Sequence, residues 1–376
     1  MKPVRPSKPR ALLIGPLPRA GQPIGGAQVS FRELCDGFRT SGTFEIDVLD
    51  TTRGATYSKG WRRTLGNALA LARVLLSLLR RGARADVVVF NASVNGLMDA
   101  GPWVQRACRA LGRPLVVRAF GGALDLAQAG TTPARRARLT ELLASSALVL
   151  LQTEQLCAHF SGSGALRRLP TTRPLPSQVP SGRANCRRFL FLAQLRPEKG
   201  YEEALGALEL CPADCTLDLY GPALPATDLS RLRAHPRAKW HGELEHRDVA
   251  RVLAEHDALL FPSRYEGEGL PGAIVEAFQH GLPVIATRWR ALPELVRDHH
   301  NGLLVPVGDV AALANAMARM AEDASLFRNL RAGALASGRE LDSTRWQSQL
   351  EGWLLDLCAR PDTLKSPTPH CSEVAP

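Results

Sequence analysis

Two glutamates in one short segment could bind the hydroxyl groups of a ligand. The segment at 261–287 reads FPSRYEGEGLPGAIVEAFQHGLPVIAT, and Glu268 and Glu276 stand eight positions apart in it. A carboxylate accepts hydrogen bonds from hydroxyl groups and repels phosphate. Either glutamate alone would be expected to be a solvated surface acid, because Glu side chains are mostly exposed. The glycine-rich sequence around both of them favours a ligand site instead.

The loop that holds Glu268 could bind a negatively charged group. Three glycines and a proline at 266–272 exclude a helix interior there, and the helix-like stretch AIVEAFQ follows at 273–279. The first amides of a helix lack partners within the helix, and the helix dipole favours an anion beside them. A sugar that carries a diphosphate fits both halves of the segment, with its phosphates at the helix start and its hydroxyls at the glutamates.

The segment resembles the signature of the retaining glycosyltransferases of family 4, in which two glutamates stand in a frame like EGxxxxxxEA. Ala277, Gly281 and Pro283 fit the frame that follows. The resemblance implies that Glu276 holds the ribose of a sugar nucleotide and that Glu268 contacts the donor sugar. It also implies that the loop Gly269, Leu270 and Pro271 lies near the diphosphate.

The stretch FLFLAQLRPEKG at 189–200 carries the resemblance further, because Lys199 matches the family's phosphate-binding lysine in its EKG frame. The family often has an arginine five residues earlier, where this chain has Gln194, and we expect Arg196 to replace it. Gly25 and Gly26 resemble the glycine loop of the family's first domain. The expected catalytic residues are Lys199, Glu268 and Arg196. The expected donor contacts are Gly25, Gly26, Gln194, Gly269, Leu270, Pro271 and Glu276.

Polar residues at the ends of two predicted strands mark a candidate acceptor site. The strands are ADVVVFNAS at 85–93 and PLVVRAFGG at 114–122, and ligands of parallel α/β sheets bind beyond the carboxyl ends of the strands. Many family members carry a histidine after the fourth strand, where this chain has Phe120 and two glycines. Backbone groups, Arg118 or Asp125 are left to do its work. The expected acceptor contacts are Asn91, Arg118, Gly121 and Asp125.

Strands that alternate with helical segments predict an α/β fold with parallel sheets. At 376 residues the chain is long enough for two domains. The resemblance implies two Rossmann-like, doubly wound domains that face each other across a cleft, the fold called GT-B. We expect an acceptor-binding domain at 1–182, a linker at about 170–188, a nucleotide-sugar-binding domain at 183–340, a helix at 341–360 that crosses back to the first domain, and a disordered tail at 361–376.

Positive charge is concentrated in the first half of the chain. Residues 1–180 hold 25 Lys and Arg against 10 Asp and Glu, a net charge of +15. Residues 181–376 therefore carry −4 of the chain's total of +11. This imbalance predicts an anionic partner, either lipid headgroups, a lipid-linked diphosphate acceptor or nucleic acid. Dispersed arginines and an aromatic content of 6% disfavour nucleic acid, for which stacking platforms would be scarce.

A helix predicted from Trp61 to Arg81 (WRRTLGNALALARVLLSLLRR) has two interpretations. It is either a core helix with a solvated basic rim or an amphipathic element that rests on a membrane surface, with Trp61 at the interface. No stretch approaches the roughly 20 apolar residues of a membrane span, and the amino terminus lacks a signal-peptide hydrophobic run. We therefore expect a cytoplasmic protein that contacts the anionic inner membrane face through its basic first domain.

The sequence predicts no metal and no cofactor beyond the nucleotide diphosphate sugar used as a co-substrate. No Asp-x-Asp pair is present to hold a divalent ion against a diphosphate. No GxGxxG follows the first strand, which disfavours an NAD-dependent dehydrogenase. Eight scattered cysteines without a CxxC pair indicate buried free thiols.

The leading functional hypothesis is a retaining, metal-independent glycosyltransferase. The resemblance, strongest to the polysaccharide-assembly branch, implies transfer of a hexose-type sugar to a saccharide acceptor carried on a lipid, in bacterial exopolysaccharide, capsule or lipopolysaccharide assembly. One alternative is a nucleotide-sugar epimerase or hydrolase on the same fold, which would act on the donor with no acceptor present. Another is a non-catalytic nucleotide-sugar-binding scaffold, kept open by the missing histidine.

Overall fold

The chain forms two compact units, made of Met1–Pro170 with Thr344–Pro376 and of Thr171–Ser343. The chain therefore passes from one unit to the other twice. The computed structural model describes residues 8–19, 25–52, 61–179, 185–224 and 227–359, and the backbone alone of 61–65.

The first unit contains a parallel six-stranded sheet. In space its strands follow the order β2-β1-β3-β4-β5-β6. Alternate residues of one strand enter two different cores, with Leu12 and Ile14 in one and Ala11 and Leu13 in the other, because helices cover both faces of the sheet. The strands are β1 (Arg10–Gly15), β2 (Glu45–Asp50), β3 (Val87–Ser93), β4 (Leu115–Phe120), β5 (Leu148–Leu151) and β6 (Leu166–Arg168).

In the described ranges of this unit, six helices connect these strands. Helix α1 buries Phe31, Leu34 and Phe38 against the sheet, a spacing that places all three side chains on one face of the helix. The helices are α1 (Gly26–Ser41), α2 (Trp61–Gly82), α3 (Val94–Ala110), α4 (Leu124–Ala129), α5 (Pro133–Ser145) and α6 (Glu154–His159).

The second unit repeats this architecture. Its strand order is β12-β11-β10-β7-β8-β9, and every pairing is parallel. The strands are β7 (Arg188–Leu192), β8 (Thr216–Tyr220), β9 (Ala238–Trp240), β10 (Ala258–Phe261), β11 (Val284–Thr287) and β12 (Gly302–Val305). The helices are α7 (Tyr201–Leu210), α8 (Ser230–Ala234), α9 (Val249–Glu255), α10 (Gly272–Gln279), α11 (Leu292–Leu295), α12 (Val310–Glu322) and α13 (Ala324–Glu340), with 3-10 turns at Pro197–Lys199 and His246–Asp248.

Helix α14 (Ser343–Ala359) packs on the first unit. It buries Leu350 and Leu354 in the same core as Phe31 and Phe38. Its Glu351 accepts a hydrogen bond of 2.5 Å from the Ser41 hydroxyl at the end of α1. The terminal helix is therefore an integral part of the first unit's core.

The predicted α/β class, with two Rossmann-like sheets, is confirmed. The division between the units falls after Pro170, ahead of the predicted boundary at 182. The physical reason is Arg173, whose backbone hydrogen-bonds to Leu341 and Ser343 of the second unit. The predicted tail at 361–376 lies outside the described residues.

Each sheet has one point where the strand order reverses. In the second unit it lies between β10 and β7, which pair directly, and in the first unit between β1 and β3. In open α/β sheets the crevice at the carboxyl ends of these two strands is the usual place for a ligand.

Candidate functional site

The loops after β7 and β10 bring a lysine and a glutamate together at the reversal point of the second sheet. Lys199 follows β7 and Glu268 follows β10, and Nζ lies 2.7 Å from Oε2. The Ser263 hydroxyl donates to the same carboxylate oxygen at 2.6 Å. Both charged side chains are largely buried. The second oxygen of Glu268 has no hydrogen-bond donor among the described residues, so it can accept one from a ligand hydroxyl.

Tyr265 contacts two cations in this site. Lys199 Nζ lies 4.8 Å from the centre of its ring, and the Arg196 guanidinium carbon lies 5.2 Å from it. Nε of Arg196 and Oε2 of Glu198 are 3.4 Å apart but misaligned, and neither buried atom has a hydrogen-bond partner among the described residues. Buried polar atoms without hydrogen-bond partners are uncommon, and here the two atoms interact only as an ion pair.

Helix α10 begins beside this pair of charges. Pro271 is its N-cap residue, and no described side chain caps the helix. The amides of Gly272 and Ala273 therefore point out of the first turn without a partner within the described part of the chain. An oxyanion at this end would gain both the free amides and the helix dipole. The loop of Gly269, Leu270 and Pro271 leads directly into this end of the helix, as predicted.

Glu276 lies one turn further along α10 and pairs with an arginine that the sequence reasoning assigned to the linker. Nε of Arg173 donates to Oε1 of Glu276 at 2.6 Å. The two side chains are 6% and 15% exposed, so this is a nearly buried ion pair. A single sequence offers no signal for a pair separated by 103 positions. Gln194 has no side-chain hydrogen bond within the described residues and lies in the turn after β7.

In the first unit, Gly25 and Gly26 form the start of α1, after β1 at the reversal point of that sheet. The Gln28 side chain accepts a hydrogen bond of 2.8 Å from the Gly25 amide, so this amide already has a partner. A Cβ at Gly26 would lie 4.0 Å from the Phe120 ring. The start of α1 therefore lies near the end of β4, where the resembling family has its histidine.

The predicted acceptor residues gather at the carboxyl ends of β3 and β4. Asn91 and Arg118 are register partners on these strands, and Arg118 Nη1 donates to Asn91 Oδ1 at 3.2 Å. Both are buried, and the Asn91 Nδ2 group has no acceptor among the described residues. The Gly121 amide donates to Gln152 Oε1 at 2.8 Å. Asp125 lies in the first turn of α4. Because Arg118 and Asn91 are buried, they serve more to support this edge of the sheet than to contact a ligand.

Within the described residues, no three His, Cys, Asp or Glu side chains converge on a point that could hold a metal ion. The metal-independent reaction expected from the sequence stays a prediction.

Residues 186–323 match the profile of the family described as glycosyl transferases group 1. This range covers most of the second unit and includes Lys199, Glu268 and Glu276. Lipopolysaccharide core biosynthesis glycosyltransferase LpsE of Rhizobium meliloti is 24% identical over 338 residues, which cover 81% of this chain and 88% of LpsE.

Amylovoran biosynthesis glycosyltransferase AmsK of Erwinia amylovora is 30% identical over 146 residues, 36% of each chain. The chain spans between 21% and 36% of the length of several curated relatives that it matches.

Among solved structures, Anabaena HepE in complex with UDP superimposes with a TM-score of 0.72 at 20% identity, over 93% of this chain and 100% of HepE. At this identity the likeness concerns the fold. The predicted GT-B fold, with two Rossmann-like domains, is confirmed.

Proposed function

We propose that this protein is a glycosyltransferase that moves a hexose-type sugar from a nucleotide diphosphate sugar to a lipid-linked saccharide, with retention at the anomeric carbon. The observation that carries the proposal is the meeting of Lys199, Glu268 and the uncapped start of α10 at one reversal point. The matched family and the names of LpsE and AmsK support a role in bacterial exopolysaccharide, capsule or lipopolysaccharide assembly.

The difficult step is departure of the nucleoside diphosphate while positive charge develops on the sugar. In the proposed site, Lys199, Arg196 and the α10 amides stabilise the leaving phosphates, because fixed donors need no reorganisation as the charge develops. Glu268 accepts from a sugar hydroxyl through its unpaired oxygen, and the bond from Lys199 orients that carboxylate. Glu276 accepts from the ribose. In the first unit, the proposed acceptor contacts are Asn91, Arg118, Gly121 and Asp125, and Gly25 and Gly26 are proposed donor contacts.

A nucleotide screen tests the proposal first. UDP-, GDP-, ADP- and dTDP-sugars are added at about 100 times the dissociation constant, and one class is expected to raise the melting temperature by about 5 °C or more. HepE was solved with UDP, which favours a UDP-sugar. Glu276→Ala is expected to abolish the shift. The Glu245→Ala variant, which changes an exposed acid of the same unit, should retain it.

The reaction itself is then followed with the selected donor and a lipid extract from a polysaccharide-producing bacterium. We expect a glycosylated lipid whose anomeric configuration by NMR matches that of the donor, and undiminished transfer in EDTA. Turnover of the donor without any acceptor would identify an epimerase or hydrolase instead. Donor binding without turnover under any condition would identify a binding scaffold.

We also propose that α2 contacts an anionic membrane surface. Leu69, Leu76 and Leu79 are 63%, 55% and 43% exposed, and their spacing places them along one side of the helix. Arg73 and Arg80 are exposed beside them. An apolar stripe with flanking cations suits the headgroup region of an anionic bilayer. No helix in the described part of the chain is long and apolar enough to span a membrane. The side chain of Trp61, which was predicted to lie at the interface, is outside the described part of the structure.

Vesicle sedimentation measures this contact. The protein is expected to sediment with vesicles that contain phosphatidylglycerol and to remain in the supernatant with pure phosphatidylcholine. The double variant Leu69→Glu with Leu76→Glu should reduce the bound fraction about tenfold or more. Each substitution removes a leucine that would be buried in the lipid surface and adds a negative charge that the anionic headgroups repel. Leu210→Glu, an exposed leucine of the second unit, is the matched control. Equal binding by the α2 variant and the control would exclude α2 as the contact.

A further inference from the structure

The backbone of Arg173 is fixed where the chain enters and leaves the second unit. Its N–H donates to the Leu341 carbonyl at 3.3 Å, and its carbonyl accepts from the Ser343 amide at 2.9 Å. The same carbonyl accepts from Gln279 Nε2 at 2.8 Å. Gln279 is the last residue of α10, so the Arg173 backbone is held against the helix that carries Glu276. The Arg173 side chain therefore starts beside α10.

The Arg173 side chain occupies a space that α10 leaves open for it. Its Nη1 donates to the Thr172 carbonyl at 2.9 Å, and its Nε donates to Glu276. A Cβ at Gly272 would overlap Nη2 of Arg173. The backbone at Gly272 needs no positive φ, so the missing side chain, and not conformational freedom, is what this position requires. The first residue of α10 is small because a guanidinium lies against it.

The ion pair leaves one Glu276 oxygen available. Oε1 takes the Arg173 bond, and Oε2 has no donor among the described residues. A planar guanidinium fixes the plane of the carboxylate as well as its charge. It also offsets the negative charge of Glu276 one turn from the free amides of α10, where the proposed diphosphate binds. An unpaired carboxylate at that place would oppose the phosphates.

We propose that Arg173 is a positioning residue that directs the free oxygen of Glu276 at the ribose hydroxyls of the donor nucleotide. This inference rests on the proposed function and concerns the same site. In this inference Arg173 acts through Glu276. Replacing Arg173 is therefore expected to reduce the discrimination between ribose and a sugar that lacks the hydroxyls, and not the overall affinity for the diphosphate.

Calorimetric titration with UDP and 2′,3′-dideoxy-UDP measures this discrimination. The wild-type protein should prefer UDP about tenfold or more, since hydrogen bonds to a carboxylate are strong. In Arg173→Lys and Arg173→Gln the ratio of the two dissociation constants should fall to within about threefold of unity. Arg231→Lys, which changes an exposed arginine paired with Glu209, should keep the wild-type ratio. A merely structural role of Arg173 would weaken both ligands equally and leave the ratio unchanged.

A second variant covers the case in which the Arg173 variants fail to fold. Gly272→Ala keeps both charges but displaces the guanidinium, and it should lower the ratio in the same way. An unchanged ratio in the folded variants overturns the inference but leaves the proposed function standing. A wild-type protein that binds both nucleotides equally also overturns the inference. If the wild-type protein binds no nucleoside diphosphate in the screen described above, the proposed function itself fails.

Discussion

Replacing Lys199 with methionine is expected to reduce the turnover number about 100- to 1,000-fold, the usual cost of removing a fixed group that stabilises developing charge. The lysine is also the partner of the buried Glu268 carboxylate at 2.7 Å. Lys199→Met therefore leaves that carboxylate uncompensated, and breaking a buried pair in this way costs about 3–5 kcal/mol of folding free energy. Both effects are read in one preparation, by transfer assay and thermal melting.

A double variant separates chemistry from stability. In Lys199→Met with Glu268→Gln the buried charge is gone, so the melting temperature should return most of the way to the wild-type value while activity stays low. Lys239→Met, at an exposed position of the same unit, is the control and should change neither quantity. Recovery of activity in the double variant would mean that Lys199 serves only to neutralise Glu268, and would exclude its role at the phosphates.

Substitution of Gly200 by alanine should cost the second unit more stability than the same substitution at any exposed turn. Gly200 follows Lys199 at a φ of +81°, and a Cβ there would overlap the Pro262 carbonyl at the end of the β10 strand. Backbone strain at positive φ costs an alanine about 1–2 kcal/mol, and displacement of the loop adds to it. Because Lys199 moves with the loop, transfer activity should fall at temperatures well below melting.

Gly242 provides a closely matched control for this effect. It has the same φ of +81°, but no atom lies within 4 Å of the position that a Cβ would take. Gly242→Ala should therefore show the strain alone, a loss of about 2–8 °C in melting temperature. Gly200→Ala should lose several degrees more. Equal losses would show that the approach of the loop to β10 is not tight in solution.

The sequence predicts strands such as β3 and β4 well because they are apolar runs that are buried along nearly their whole length. Strand β6 escapes prediction, since Leu166–Arg168 is three residues long and two of them are arginines. Lys199 and Glu268 could be paired in advance only through the family resemblance, because their 2.7 Å contact joins loops 69 positions apart. The resemblance supplies the types and spacing of these residues. The strand order explains why their two loops meet, because β7 and β10 are neighbours in the sheet.

Two features of the site lay beyond sequence reasoning for physical reasons. Arg173 stands among prolines in a stretch that composition marks as a linker, and its pairing with Glu276 depends on how that stretch lies against α10. Gly25 is an expected donor contact, and the bond of its amide to Gln28 arises from an N-capping geometry that a glycine pair does not specify. In both cases the deciding contact is made by a side chain whose direction depends on local packing.

The double passage of the chain between the units also sets an order in which they can be completed on the ribosome. The second unit is one uninterrupted segment, Thr171–Ser343, so all of its core is present once that segment has emerged. The first unit begins earlier but lacks Leu350 and Leu354 of α14, which share a core with Phe31 and Phe38. Because domains generally fold as units during synthesis, the half that is synthesised first is the half that finishes last. Until then, part of the apolar core of the first unit lacks α14.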